Sequence, residues 1–232
     1  IGYQRASADR DATVSASTVA LGGDYSRVRA GVRLVGKGAS AKQVALYFAD
    51  GNQMHDFRTL QDHAAPRTHS DLLFKGAVRD TAKSVYTGLI KIRENADKSE
   101  AFQTNRSLTL SSGAWAESVP NLEIETNDVK CSHASTVGPI DDDQRFYLES
   151  RGIRPEIAER LVVFGFFADV IDRRFETLHL LRAAANGSNQ YTAEGRKTKR
   201  FIHSYSLPFL FNAEMQACKK CAEKVISQYA VK

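Results

Sequence analysis

Ser118–Gly152 reads SVPNLEIETNDVKCSHASTVGPIDDDQRFYLESRG, and the fold turns on this stretch. Upstream of it, short β-rich segments recur between Gly, Asp, Asn and Pro. Downstream, apolar residues return at helical spacing. Leu122-Glu-Ile124 alternates as a half-buried strand does. Asp141 then opens a helix: it can cap, and Gln144 stands three positions on as its capping-box partner. Asp142 and Asp143 suit the positive end of the helix dipole. Phe146, Tyr147 and Ser150 follow, and Gly152 is a natural left-handed stop. Between the two regimes sits a Cys-x-His pair, Cys131 and His133.

Working upstream, strands are expected near Val28–Val35, Gln43–Phe48, Asp56–Gln61, Asp71–Ala77, Ser84–Ile92, Phe102–Leu110, Trp115–Ser118, Leu122–Glu125 and Val129–His133. Residues 1–26 are polar and Ser/Ala/Asp-rich, and read as short strand and turn. No segment in 27–133 keeps an i, i+3, i+4, i+7 apolar pattern for three turns, which excludes βαβ alternation. A sandwich, a barrel and a β-helix remain, and the scarcity of hairpin signals favours solenoid rungs.

Downstream, a second helix starts at Pro155, with Glu156 in its first turn. Ile157, Leu161, Phe164, Ala168 and Ile171 form one apolar stripe, expected to pack as core or against another helix. Asn186–Arg200 reads as a linker, Phe201–Phe211 is aromatic and apolar, and residues 213–230 suit an amphipathic helix with Met215, Cys218, Ala222, Val225 and Tyr229 on one face. The expected organisation is rungs over 1–140, a helical region over 141–172 and a basic tail over 173–232.

The net charge of +5 belongs to that tail: residues 173–232 hold 11 Lys/Arg against 4 Asp/Glu, and residues 1–172 hold 21 against 23. A nucleic-acid reading would rest on the tail alone. No apolar run approaches the roughly 20 residues of a membrane-spanning helix. Cys131, Cys218 and Cys221 are an odd set without framework spacing, which suits a reducing compartment and a cytoplasmic protein. The chain opens at Ile1 without Met or a signal-peptide pattern, and reads as starting in mid-protein.

Several motifs fail on chemistry. Gly31-Val-Arg-Leu-Val-Gly36-Lys37 has Walker A spacing, but Gly38 stands where a magnesium-binding Ser or Thr belongs and no helix follows to receive phosphate. No ATP is expected on this chain. Cys218-Lys-Lys-Cys221 lacks the second ligand pair of a closed zinc site, with only His203 loosely available. His63 and His69 flank a Pro-containing loop and read as loop or rung histidines. No catalytic triad or nucleophile elbow is present, and no catalytic or cofactor-binding residue is assigned.

Cys131 and His133 differ in kind. Two apart on one strand, they share a face with Val129, with Cα atoms about 6.6 Å apart. A thiolate and an imidazole converging from one strand suit Fe(II) or Zn(II). They cannot complete a site, so another rung or chain must supply the rest. A buried Cys beside a hydrogen-bonded His is the simpler alternative.

Asn121-Leu-Glu-Ile, Asp128-Val-Lys-Cys131-Ser-His133-Ala-Ser-Thr-Val-Gly138, Asp141, Gln144, Phe146-Tyr147-Leu148, Ser150-Arg151-Gly152-Ile153 and Gly165-Phe166, in this order, resemble the C-terminal signature of the SufB/SufD family of iron–sulfur cluster assembly scaffolds. Arg106-Ser-Leu-Thr-Leu and Tyr86-Thr-Gly-Leu-Ile-Lys-Ile look like that family's rungs. The resemblance covers about residues 27–172. It implies a mainly β fold, a right-handed parallel β-helix followed by a C-terminal α-helical region. It also implies a non-catalytic subunit that pairs with a SufB-like subunit through its late rungs and docks a SufC-like ATPase through its helices. A transient iron–sulfur cluster or iron would be its cargo. His133 matches the SufD histidine implicated at the subunit interface, with Cys131 the second candidate ligand. SufB carries a functional cysteine in the rung equivalent to Thr104-Asn105-Arg106, and SufB-like chains tend to have Glu at the position of His133. Asn105 and His133 therefore point to the SufD side. The basic residues after Arg173 are unlike the family's usual ending. Two rival readings are a polysaccharide-acting β-helix enzyme, which needs carboxylates converging on an outer groove, and a nucleic-acid binder using the tail.

Overall fold

A computed structural model describes residues 1–187, with side chains described through residue 173. Ten strands run β1 (Gly2–Ala8), β2 (Thr13–Leu21), β3 (Tyr25–Leu34), β4 (Ser40–Ala49), β5 (Met54–His63), β6 (His69–Val78), β7 (Lys83–Ile92), β8 (Glu100–Thr109), β9 (Trp115–Ile124) and β10 (Lys130–Pro139), followed by α1 (Asp142–Glu149) and α2 (Pro155–Gly187). The odd strands form one five-stranded sheet, in order from β1 to β9, and the even strands another, from β2 to β10. Every pair is parallel: Gly2 lies beside Val28, Tyr25 beside Met54, Ser40 beside His69. The chain thus winds as a parallel β-helix of about five turns, roughly 30 residues to the turn.

The expected strands are present, mostly longer than expected: Val129–His133 covers only the first part of β10, which continues to Pro139. Trp115–Ser118 and Leu122–Glu125 belong to one continuous β9, because Pro120 sits on a terminal strand where a missing N–H is tolerated. Residues 1–26 form two full strands, their weak apolar pattern reflecting the small lumen residues Ala6, Ala8 and Val14.

Alternation sends one face of each strand into the lumen. β7 buries Ser84, Tyr86, Gly88, Ile90 and Ile92, and β8 buries Ala101, Gln103, Asn105 and Ser107. Turns repeat at one corner, where Asp11, Gly38, Arg67 and Lys98 all take positive φ. The Asp11 amide donates to Lys37 O (3.0 Å) and the Arg67 amide to Asp97 O (2.9 Å), so each corner residue is tied to the next turn.

The lumen is polar as well as apolar. Tyr47 reaches across its register neighbour Gly76 to bond the next residue of that ladder, Ser107, at 2.7 Å. A Cβ on Gly76 would overlap the Tyr47 ring, so the ladder needs glycine there. Thr59 meets the Tyr86 hydroxyl at 2.8 Å.

Helix α1 starts and stops as its sequence dictates. Asp141 Oδ1 accepts from the Asp143 amide (2.9 Å) at the start of α1. Gly152, at φ +81°, closes it: its amide reaches Glu149 O (2.9 Å), and that of Ile153 reaches Leu148 O (3.3 Å). α2 runs unbroken through Arg173 and packs Val163 and Phe167 against Phe48 and Ala77 on the outer face of the even sheet. The expected stripe is rotated: Leu161 and Phe164 are 46% and 49% exposed, while Ala158, Val163, Phe167 and Val170 are buried. α2 is apolar around most of its circumference, so periodicity could not select the face that meets the sheet. Residues 188–200 of the expected linker, the segment Phe201–Phe211, the helix over 213–230, and Cys218, Cys221 and His203 lie outside the described residues.

Candidate functional site

The last turn of the solenoid, β9 with β10, has no further described strand beside it. Residues that would be core one turn earlier are therefore open. Leu122, Ile124 and Val137 are 38%, 44% and 40% exposed, although their register partners Ile90, Ile92 and Ser107 are buried.

Cys131 and His133 lie on β10 at lumen-facing positions. Their register partners on β8 are Ala101 and Gln103, both fully or nearly buried. The expectation that the two share a face with Val129 agrees with the strand's alternation. Their surroundings differ. Cys131 is a free, half-buried thiol that packs, with Val129, against Ile90, Ile92, Ala96 and Ala101. Burial pushes its pKa upward, against thiolate formation. His133 is exposed at the mouth of the lumen.

One turn below the mouth lie two buried amides that sequence reasoning did not single out as site residues. Gln103 is the register partner of His133, and Asn105 that of Ser135. Asn105 donates from Nδ2 to Ser118 Oγ across the lumen at 2.8 Å. Gln103 lies against Gly88, where a Cβ would overlap its amide. Period-two counting back from His133 along β8 would have found both. Among the described residues no group of three or more His, Cys, Asp or Glu is placed to hold a metal ion. His133 and Cys131 share the lumen-facing side of β10, and among the described residues no third such side chain joins them.

His63 and His69 occupy a corner between β5 and β6. His63 is fully buried, with Nδ1 2.7 Å from Thr68 Oγ1 and Nε2 2.8 Å from Ser70 Oγ. His69 faces outward, 3.7 Å from Glu100. Gly31–Leu34 lie in β3, and β4 rather than a helix follows Gly38.

A second region lies where the helices meet the even sheet. Lys75, on the outer face of β6, is buried, and its ammonium donates to Asp169 Oδ1 (2.7 Å) and Phe166 O (2.8 Å) of α2. Phe146, Tyr147, Leu161 and Phe164 are left exposed on the helices, at 70%, 56%, 46% and 49%. Between helices and sheet is a pocket of about 830 Å³. No helix of the described residues is long and apolar enough to cross a membrane.

Residues 1–166 match the family "SUF system FeS cluster assembly, SufBD core domain". An iron–sulfur cluster assembly SufBD family protein of Mycobacterium bovis is 45% identical over 199 residues, covering 82% of this chain and 50% of that protein. The iron–sulfur cluster assembly protein SufD of Escherichia coli is 35% identical over 162 residues, covering 70% of this chain and 38% of its own length. SufD of Bacillus subtilis is 37% identical over 139 residues, 60% of this chain and 32% of its own. The chain thus spans about half the length of the mycobacterial relative and less of the two SufD proteins.

Proposed function

The chain belongs to the SufBD family of iron–sulfur cluster assembly proteins, and from that premise we propose that it is a SufD-type, non-catalytic scaffold subunit of the cytoplasm. Its open last turn pairs with a SufB-like subunit, and its helical region over 141–172 docks a SufC-like ATPase that supplies the energy of ATP hydrolysis. The nascent cluster, or iron, is cargo held between subunits. His133 contributes one ligand from this side.

The observation that carries the reading is the position of His133. It is an exposed imidazole at the mouth of the lumen, flanked by the outer edges of β9 and β10, which no described strand covers. An imidazole there meets whatever strand is added to the turn, and imidazole suits iron in a mixed N/S site. Strand addition to an exposed edge supplies backbone hydrogen bonds for affinity and side-chain contacts for specificity. Cys131, packed beneath it among aliphatic side chains, contributes shape and is the weaker ligand candidate.

The test uses the full-length protein with its SufB-like and SufC-like partners, assaying iron and acid-labile sulfide in the purified complex. His133→Ala should lower cluster content severalfold while the complex still assembles. Cys131→Ser should have the smaller effect. Normal cluster loading in His133→Ala would remove the assigned role.

A further inference from the structure

Lys75 and Arg106 are register partners on β6 and β8, side by side on the outer face of the even sheet. Neighbouring strands lie about 4.8 Å apart, and like charges directly opposite one another destabilise a sheet unless each meets an anion. Lys75 meets Asp169 at 2.7 Å. Arg106 is exposed, and among the described residues it has no ion pair and no side-chain hydrogen bond. The sheet therefore presents one compensated cation beside one uncompensated cation.

Both side chains line the pocket between sheet and helices, together with Leu108, Tyr147, Leu161 and Phe166. Asp141 and Asp143, at the start of α1, line it as well, and neither pairs with Arg106. At about 830 Å³ the space holds several large side chains. Its apolar lining continues onto the solvent-facing Tyr147 and Leu161. A small anion would satisfy Arg106 but leave that apolar face uncovered. A polypeptide segment with a bulky apolar side chain and a neighbouring carboxylate would satisfy both.

We propose that this pocket is the specificity element of the docking face: it seats a large apolar side chain of the partner while an adjacent Asp or Glu of the same segment pairs with Arg106. The inference rests on the reading that the helical region docks a partner, and adds which chemistry the partner must carry.

The experiment measures binding of the full-length protein to its SufC-like ATPase by calorimetry, in low and high salt. Arg106→Glu should weaken binding roughly tenfold or more, as charge reversal at a desolvated pair does, and Arg106→Lys should stay close to wild type. Wild-type affinity should fall with salt more steeply than that of Arg106→Gln. The side chain is exposed, so the thermal midpoint of Arg106→Glu should match wild type and separate a binding defect from misfolding. Leu161→Asp serves as the control on docking. If it abolishes binding and Arg106→Glu does not, the carboxylate pairing is wrong and the docking reading survives. If Leu161→Asp leaves binding intact, the docking reading fails and this inference with it.

Discussion

At the scale of single residues, the lumen holds side chains whose protonation is fixed by neighbours. The Thr68 hydroxyl donates to Ala65 O (3.1 Å), so at 2.7 Å it accepts from His63 Nδ1–H. Nε2 is left to accept from the Ser70 hydroxyl, whose oxygen also receives Gln61 Nε2 at 2.7 Å. The network accommodates the neutral imidazole with one ring nitrogen donating and the other accepting. Burial, with His69 adding repulsion and Asp62 opposing it, holds the His63 pKa down at about 4, against 6.5 for the free side chain. The unfolded chain then binds a proton that the folded chain refuses, so stability is full above pH 6.5 and falls as pH drops toward 4. The loss attributable to His63 is roughly 3 kcal/mol at 1.36 kcal/mol per pKa unit. Urea midpoints from pH 7 to pH 4 should show this slope in wild type and most of it gone in His63→Gln. Equal slopes would mean that other groups carry the acid sensitivity. From the sequence, His63 reads only as a loop or rung histidine. Its hydroxyl partners Thr68 and Ser70 are local in sequence, but only the fold shows that all three are buried.

At the scale of elements, strands were more legible than the packing of helices. Period-two alternation survives wherever one face is buried, so nearly every strand of 27–139 could be placed, and Pro120 alone split one in two. α2 carried no such guide. Its apolar residues encircle the axis, and the face that packs was chosen by Phe48, Ala77 and Leu108 on distant strands. The polar anchors of α2 are unequal for a physical reason. Lys75 is 6% exposed and Asp169 50%, whereas Arg173 and Asp71 are 46% and 33% exposed at 2.8 Å. Asp169→Ala leaves a buried ammonium with a carbonyl and an aromatic face as its only partners. It should cost about 3 kcal/mol, the low end for breaking a buried pair. Arg173→Ala breaks a screened surface pair and should cost under about 1 kcal/mol. Chemical denaturation of the two variants checks the order. Hydrogen exchange in residues 155–173 should rise in the first variant and stay near wild type in the second.

At the scale of the whole molecule, no described strand lies beyond β9 and β10, so among the described residues the face that carries Cys131 and His133 is open. Sequence reasoning placed Cys131 and His133 on one strand face. It did not show that this face is the lumen, that Gln103 and Asn105 lie beneath it, or that Leu122 and Val137 stand open beside it. Those facts depend on register between strands about 30 residues apart, which a single sequence does not encode locally. An open edge with apolar residues at its mouth is a template for adding another strand pair. The isolated chain should therefore self-associate through this turn when no partner is present. Leu122→Lys with Val137→Lys places inward-pointing charges at the mouth, a device by which natural sheets block edge pairing. Both positions are already 38–40% exposed, so the lysines can reach water and the fold should persist. Sedimentation should show a shift to monomer, and pairing with the SufB-like subunit should be lost in the same variant. The proposed docking of the ATPase should be retained, because α1 and α2 lie on the outer face of the even sheet and not at its open end. If self-association persisted but SufB-like pairing disappeared, the chain would use different surfaces for itself and for its partner. Were both to persist, the open turn would not be the interface, and His133 would lose its route to a shared site.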